Sequence, residues 1–221
     1  MGPVSKDQGL AARRVPTQAR SRQRVLRILD AAAHEFAELG FDSATTEGIA
    51  TRAGTSVGSI YQFFPNKHAL FEAIGSRYLD EARTLFETMT TGQALKVPWW
   101  ELLDGAIDAF AAMHKHSVGF RAVWLNLQMS RGFLAAGEAL NAEIAKQTEA
   151  IFARQAPGLG KAKRKMAANV VVETISAMLL FSARNKEPFA SQILEEAKVL
   201  VRRYVEPYVK SAPVRASKRD R

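Results

Sequence analysis

Apolar residues recur at steps of three and four positions along most of the chain, which is the spacing of amphipathic α-helices. The first such segment begins near Thr17 and is expected to end at Gly40, because glycine suits the left-handed residue after a helix. Its predicted buried stripe consists of Val25, Ile28, Leu29, Ala32, Phe36 and Leu39. No segment shows a convincing strand pattern. The sequence therefore predicts an all-α protein of about nine helices.

Two very short helices are predicted next, over Thr46–Ala53 and Val57–Phe63, with a tight turn at Gly54. Ser56 is the expected N-cap of the second helix, since a serine hydroxyl accepts a bond from a free backbone N–H. Helices this short are unstable alone, so their apolar residues need the preceding helix as a platform. The outward residues are mostly Thr, Ser, Gly, Tyr, Gln and Lys, which suit phosphates and base edges. The pattern predicts a helix-turn-helix.

The rest of the chain reads as a helical body. The predicted helices are Lys67–Thr90, Pro98–Lys115, a short one ending near Met129, Leu134–Gln155, Lys161–Lys186 and Pro188–Val209. Lys161–Lys186 is apolar around much of its girth, so it must be covered on both sides. A second copy of the chain is expected to supply part of that cover.

Charge is concentrated at the two ends. The 221 residues include 31 Lys or Arg and 22 Asp or Glu, a net charge of +9. Much of the excess lies before residue 30 and after residue 209, and this favours an anionic partner, either nucleic acid or a membrane surface. Residues 1–16 are predicted to be a mobile basic arm, and residues 210–221 a disordered basic tail. With no cysteine, no signal-like start and no long apolar run, we expect a cytoplasmic protein that binds no membrane.

Candidate catalytic and metal-binding groups are lacking in the sequence. It contains no Gly-x-Ser-x-Gly, no phosphate-binding glycine loop and no His-Glu-x-x-His. His114 and His116 are two positions apart and do not share a helical face. We therefore expect no enzyme, no metal and no cofactor.

The segment from Arg20 to Ile74 resembles the N-terminal domain of the TetR-type transcriptional regulators. The resemblance rests on Phe36, then Gly40-Phe41-Asp42-Ser43-Ala44-Thr45-Thr46, Ile49-Ala50, Ala53 through Lys67, and Leu70. It implies a three-helix DNA-binding domain over 17–66 and an effector-binding and dimerisation domain over 67–209. For the second domain the similarity is architectural only.

The resemblance also implies which residues meet DNA. Thr45 and Thr46 open the first short helix, where hydroxyl and N–H groups bind phosphate. Gln62 can read adenine and Val57 can contact a thymine methyl, whereas Glu47 adds no affinity. The expected DNA-contacting set is Arg20, Thr45, Thr46, Ser56, Val57, Gly58, Ser59, Tyr61, Gln62, Phe63 and Lys67.

Bulky residues of the body are candidates for an effector pocket, although each of them also suits ordinary core packing. They are Trp99, Phe110, Met113, His114, Phe120, Trp124, Phe152 and Met178. A mostly apolar and aromatic lining favours a hydrophobic or aromatic ligand. The expected dimer interface is a four-helix bundle that contains Ile175, Met178, Leu179, Ile193, Leu200, Tyr204 and Tyr208.

Together these features predict a homodimeric repressor that a small effector releases from a palindromic operator. The alternative is an architectural DNA-binding protein of low sequence specificity that has no effector. A preferred DNA sequence would separate the two hypotheses.

Overall fold

The structure is a computed structural model that describes residues 19–91, 97–124, 131–156 and 158–210. Within these ranges the chain forms nine α-helices and no strand, so the all-α prediction is confirmed. The helices are α1 (Ala19–Ser43), α2 (Thr46–Ala53), α3 (Val57–Phe63), α4 (Lys67–Met89), α5 (Trp99–His116), α6 (Val118–Trp124), α7 (Arg131–Gln155), α8 (Lys161–Ala183) and α9 (Phe189–Lys210). The predicted arm and tail lie outside the described residues, except for Lys210 at the end of α9.

The observed helix bounds match the prediction best around the helix-turn-helix. Gly40 interrupts α1 with φ 77° and ψ 164°, as expected for a break there. Leu39, just before this break, is 53% exposed, so its assignment to the buried stripe is wrong. Farther along, α7 begins at Arg131 instead of Leu134 and so includes Gly132. Helix α8 ends at Ala183 instead of Lys186.

One compact unit comprises residues up to Glu81 together with Met113–Gly137. In it α1 packs against α2 and α6, and α2 packs against α3. Phe41 follows the Gly40 break and lies with its ring centroid 5.3 Å from that of Phe36 and 5.4 Å from that of Phe71. The core of this unit contains the fully buried side chains of Ile28, Phe36, Ile49, Ile60, Phe64, Leu70, Phe71, Phe120 and Val123. This core supplies the platform that the two short helices require.

The other compact unit comprises the described residues of Ala82–Ala112 and of the chain from Glu138 to Lys210. Here α8 packs against α9. Lys198 Nζ lies 2.7 Å from Asp108 Oδ1, and Arg202 pairs with Asp104, so α9 is also fastened to α5. The buried cluster of this unit consists of Trp99, Phe152, Ala167, Ala168, Val171, Val201 and Val205.

Among the described helices, α8 alone is long and apolar enough to cross a membrane by length and composition. Its most apolar segment has a mean hydropathy of 1.6, and 33% of that segment is buried within the chain. Much of the apolar surface of α8 is therefore left uncovered by its own chain.

Candidate DNA-binding interface

The first turn of α2 is capped by Thr45. Its backbone is extended, with φ −116° and ψ 152°, and its Oγ1 accepts a hydrogen bond of 3.0 Å from Gly48 N. The Thr45 side chain is exposed and Thr46 is half-buried. Because the first N–H groups of a helix carry partial positive charge, this end of α2 suits an anion. Glu47 is exposed on the same turn and opposes an approaching phosphate.

The turn between the short helices depends on Gly54. It adopts the left-handed conformation with φ 61° and ψ 43°, and its N–H donates to the Thr51 carbonyl at 3.2 Å. Thr55 N–H donates to the Ala50 carbonyl at 3.0 Å, which completes a Schellman-type ending. The predicted role of Gly54 agrees with this geometry.

Ser56 is the N-cap of α3. Its Oγ accepts a hydrogen bond from Ser59 N at 3.2 Å and donates one to Ser59 Oγ at 3.1 Å. The outward side of α3 is polar: Ser56, Gly58, Tyr61 and Gln62 are exposed, while Val57 and Ser59 are half-buried. Val57, Gly58, Tyr61 and Gln62 recur at the spacing of a single helical face, so these four residues form one surface.

Phe63 does not belong to that surface. Its side chain is only 4% exposed, close to the buried Ile60 and Phe64. Phe63 follows Ile60 by three positions, so it lies on the core face of α3. The prediction that Phe63 contacts DNA is therefore wrong.

Lys67 has a structural role that the sequence did not reveal. Its Nζ donates to the carbonyl oxygens of Asp42 at 3.1 Å and Ala44 at 2.9 Å, and it lies 4.7 Å from the centre of the Phe41 ring. Lys67 thereby ties the first turn of α4 to the segment between α1 and α2. Two of its three N–H donors are engaged, which leaves one for a phosphate. Arg20, the remaining basic residue of the predicted set, is exposed in the first turn of α1.

Sequence reasoning also missed an ionic network that holds α2 on α1. Arg52 donates from Nη1 and Nη2 to Glu38 at 3.1 and 2.5 Å, and from Nε to Glu35 Oε2 at 3.2 Å. The hydrogen bonds that the Arg52 guanidinium donates to Glu38, and then the one it donates to Glu35, raise its pKa above the ordinary value. The Arg52 guanidinium is thus bound by the Glu35 and Glu38 carboxylates of α1. The signal in the sequence was weak: Glu35 and Glu38 are three apart on α1, one turn of a helix.

The predicted effector-pocket residues are divided between the two compact units. Met113, His114 and Phe120 belong to the first unit; Trp99, Phe110, Phe152 and Met178 belong to the second. The side chain of Trp124 lies outside the described residues. Trp99 and Phe152 share the buried cluster of their unit, whereas Phe110 and Met178 are half-buried.

His114 is the one buried imidazole of the described chain. Its ring stacks on Phe120 with centroids 3.6 Å apart, and its Nε2 lies 2.8 Å from the Tyr78 hydroxyl. Burial lowers the pKa of His114 to about 3. The imidazole is consequently neutral at pH 7.

The predicted dimer residues differ in exposure. Leu179 and Ile193 are buried within the chain at 5% and 4%, so they stabilise the α8–α9 pair itself. Leu200 is 52% exposed, and Ile175, Met178, Tyr204 and Tyr208 are half-buried. Four large exposed apolar residues of α8 and α9 were not in the predicted set: Met166, Phe181, Phe189 and Val199.

Comparison with known proteins agrees with this architecture. The family model described as "Bacterial regulatory proteins, tetR family" matches residues 28–74, and the model "Tetracyclin repressor-like, C-terminal domain" matches residues 98–204. A helix-turn-helix unit followed by a helical body defines a class of transcriptional regulators. The chain belongs to the TetR family. Since these families are transcriptional regulators, the prediction that the protein is not an enzyme is confirmed.

Two curated relatives match part of the chain. An uncharacterized HTH-type transcriptional regulator, YvdT of Bacillus subtilis, is 32% identical over 91 residues, or 41% of this chain and 45% of that protein. The HTH-type transcriptional activator FasR of Mycolicibacterium smegmatis is 29% identical over 130 residues, or 57% of this chain and 55% of that protein. The chain thus spans about half the length of these relatives.

Solved structures share the fold over most of the chain. A TetR-family regulator from Streptomyces coelicolor has a TM-score of 0.58 and 26% identity, covering 84% of this chain and 99% of that one. The SmeT–triclosan complex has a TM-score of 0.64 and 21% identity, covering 90% of this chain and 98% of that one.

Proposed function

We propose that the protein is a homodimeric repressor that binds a palindromic operator through α3 and is released by a small hydrophobic or aromatic effector. The observation that carries the proposal is the division of α3 into two faces. Ile60 and Phe63 are buried, while Tyr61 and Gln62 project outward beside the capped first turn. A helix anchored in this way can enter the major groove without disturbing its own core.

The proposed contacts fall into two groups. The first turn of α2, with Thr45 and Thr46, binds phosphate through hydroxyl and N–H groups, and the Tyr61 hydroxyl binds another. Base readout comes from Gln62, whose amide can pair with adenine, and from Val57, whose methyl groups suit thymine. Gly58 allows the backbone of α3 to approach the groove, since its nearest neighbour beyond the adjacent residues is Ser56 Oγ, 3.9 Å from an ideal Cβ.

A second copy of the chain is proposed to cover α8 and α9. Four apolar side chains on these helices are about half or more exposed: Met166 (64%), Phe181 (47%), Phe189 (49%) and Leu200 (52%). Exposed apolar residues in such number favour an isologous interface, in which the same helices of both copies pack together. Two-fold symmetry would then set the spacing of the two operator half-sites.

The effector is proposed to bind within the helical body. The matched C-terminal family region, residues 98–204, contains the half-buried Phe110 as well as Trp99 and Phe152 of the buried cluster, which are aromatic groups that could line a pocket. SmeT, which shares the fold, was solved in complex with triclosan, a small aromatic compound. An effector lowers operator affinity to the extent that it prefers the conformation incompetent for DNA. Binding to chromosomal DNA would occur in the cytoplasm of a bacterium.

Selection of bound fragments from random DNA tests the proposal. An enriched palindrome supports the dimeric operator reading, because each copy would contribute one half-site. Enrichment of no sequence would contradict it and would favour low-specificity architectural binding. A reporter placed behind the selected operator then separates repression from activation, since a repressor lowers expression in the absence of effector.

A further inference from the structure

A cleft of about 490 Å³ lies within the first compact unit, between three walls. One wall is α1 and the second is α4; the third is the junction between α5 and α6. Its lining residues are Leu29, Asp30, Ala33, His34, Ile74, Arg77, Tyr78, Glu81, Met113, His116, Ser117, Val118 and Gly119. We call this site the α1–α4 cleft. Its volume falls in the range of about 300 to 1,000 Å³ that is typical of small-molecule sites.

The floor of the cleft is apolar and the rim is ionic. Leu29, Ala33, Ile74 and Tyr78 are each no more than 8% exposed, so they form a buried base. The start of α6 packs against this floor, since an ideal Cβ on Gly119 would be in ordinary van der Waals contact with Ile74 Cγ2, at 3.4 Å. Such a floor can take the hydrocarbon part of a ligand.

Ionised groups on the rim are two acids and one base. Arg77 Nη1 lies 2.7 Å from Asp30 Oδ1, and Arg77 Nε lies 3.2 Å from Glu81 Oε1. A single guanidinium therefore serves two carboxylates from different helices. Both carboxylate side chains stay open to solvent, at 57% for Asp30 and 46% for Glu81. The rim consequently carries one more acidic than basic group, and both carboxylate side chains remain accessible to a further cation.

We propose that the α1–α4 cleft binds a small amphipathic amine, with its ammonium group on the solvent-exposed sides of the Asp30 and Glu81 carboxylates and its apolar part on the Leu29–Ile74 floor. Of the residues that line this cleft, Met113 alone was among the predicted effector-pocket residues. The walls are α1, which carries the DNA-reading helices, and α4, which begins directly after them. An occupant would bridge these two helices inside the DNA-binding unit.

An anionic ligand fits the cleft less well. It would have to displace one carboxylate from Arg77 and would still face the other. His34 does not offset this charge, since its Nδ1 lies 3.8 Å from Glu38 Oε1. A cationic ligand is attracted instead. It gives the carboxylates of Asp30 and Glu81, which share the single Arg77 guanidinium, a second positive partner. Charge thus selects the class of ligand, and the floor selects an attached apolar group.

The test uses the full chain without DNA and three compounds with the same phenylbutyl body: 4-phenylbutylamine, 4-phenylbutanol and 4-phenylbutyrate. Affinities are measured by calorimetry, and the site is located from methyl chemical shifts in NMR spectra. We expect the amine to bind most tightly, with shifts at Leu29 and Val118 and none at Val171 of the second unit. The absence of DNA keeps this outcome independent of operator binding.

Three variants test which charged groups determine the affinity for the amine. D30N combined with E81Q should lower amine affinity about fivefold or more, since two solvent-exposed charge contacts are lost. R77Q should raise amine affinity about threefold, because it removes the competing cation. E87Q, which deletes an exposed acid of α4 outside the cleft, is the matched control and should leave affinity unchanged. Circular dichroism checks that each variant is folded.

The proposal is overturned if the amine fails to bind, if 4-phenylbutyrate binds more tightly, or if the shifts occur in the second unit. A loss of amine affinity in R77Q would also overturn it, since the guanidinium would then be a ligand-binding group.

Discussion

The carboxylate of Glu35 lies where a side chain on Gly48 would have to be: an ideal Cβ on Gly48 would be 2.2 Å from Glu35 Oε1. The other oxygen of the same carboxylate accepts from Arg52 at 3.2 Å. Glu35 is only 8% exposed. The first turn of α2 can therefore approach α1 only because residue 48 has no side chain.

Replacing Gly48 with alanine should destabilise the fold, although alanine is the better helix former by about 1 kcal/mol. The added methyl group must displace Glu35 and disturb its bond to Arg52. We expect a net loss of about 1 kcal/mol in the free energy of unfolding, as is common for overpacking. Urea denaturation measures the change.

Gly58→Ala is the matched control, because the nearest atom to its ideal Cβ is 3.9 Å away. This variant should gain up to about 1 kcal/mol of stability. The double variant G48A/E35A should recover part of the loss seen in G48A. Equal effects of the alanine at positions 48 and 58 would refute the packing role of Glu35.

Lys67→Met should destabilise the unit while keeping the length of the side chain. It leaves the carbonyls of Asp42 and Ala44 without the ammonium donor, which costs about 1 kcal/mol in a partly exposed site. DNA affinity should fall about fivefold for all sequences, and the salt slope should change by less than the roughly 0.9 expected for a full phosphate contact. Lys146→Met removes an exposed lysine of α7 and should leave stability unchanged. Unaltered stability in Lys67→Met would show that the two carbonyl contacts contribute nothing.

Gln62→Ala should relax discrimination at one base pair of each half-site, because its amide is the proposed adenine-reading group. The expected loss at that pair is about 1 to 3 kcal/mol. Tyr61→Phe is the contrasting variant: it removes a phosphate-binding hydroxyl and should weaken all sequences alike by about 1 kcal/mol. Binding to a library of operator variants measures both. An unchanged base preference in Gln62→Ala would rule out its readout role.

His114 should make stability fall on acidification. Its pKa is lowered by burial from the ordinary value of 6.5 to about 3, so between these values the unfolded chain binds a proton that the folded chain does not. The contribution is complete above pH 6.5 and is lost as the pH falls toward 3. The slope is at most about 1.4 kcal/mol per pH unit.

Urea denaturation between pH 4 and 7 measures this slope, and His114→Gln should reduce it. His116→Gln changes an exposed histidine two residues away and should preserve it. If both variants keep the full slope, another group is responsible.

Phe181→Glu and Leu200→Glu should convert the proposed dimer into monomers, since each places a charge among apolar side chains that are 47% and 52% exposed in the single chain. Sedimentation at micromolar concentration measures the mass. Leu134→Glu, on an exposed leucine of α7 (42%), is the control and should remain dimeric. A wild-type monomer would contradict the interface altogether.

The helix-turn-helix could be predicted closely because its boundaries depend on local chemistry. Ser56 caps α3 and Gly54 takes the left-handed conformation, and both properties belong to single residues and their nearest neighbours. The burial of Phe63 was also encoded in its spacing from Ile60. It was missed because Phe63 was assigned to DNA together with its neighbours Tyr61 and Gln62.

Features that depend on distant residues could not be predicted in the same way. Glu35 is buried by α2, and its partner Arg52 lies 17 positions away, so no local pattern marks it. The α1–α4 cleft joins three separate segments of the chain. On α8 the apolar residues cover most of the girth, so the sequence did not distinguish the inward Leu179 from the outward Phe181.

The two faces of α3 have a consequence for protein engineering. Helix α3 is anchored in the domain by the buried side chains of Ile60 and Phe63. Val57 and Gln62 lie outside that core, so they can be replaced without disrupting its packing. A library randomised at positions 57 and 62 alone would therefore consist largely of folded proteins. If Val57 and Gln62 read bases as proposed, selecting from it should yield regulators with new operator sequences on an unchanged scaffold.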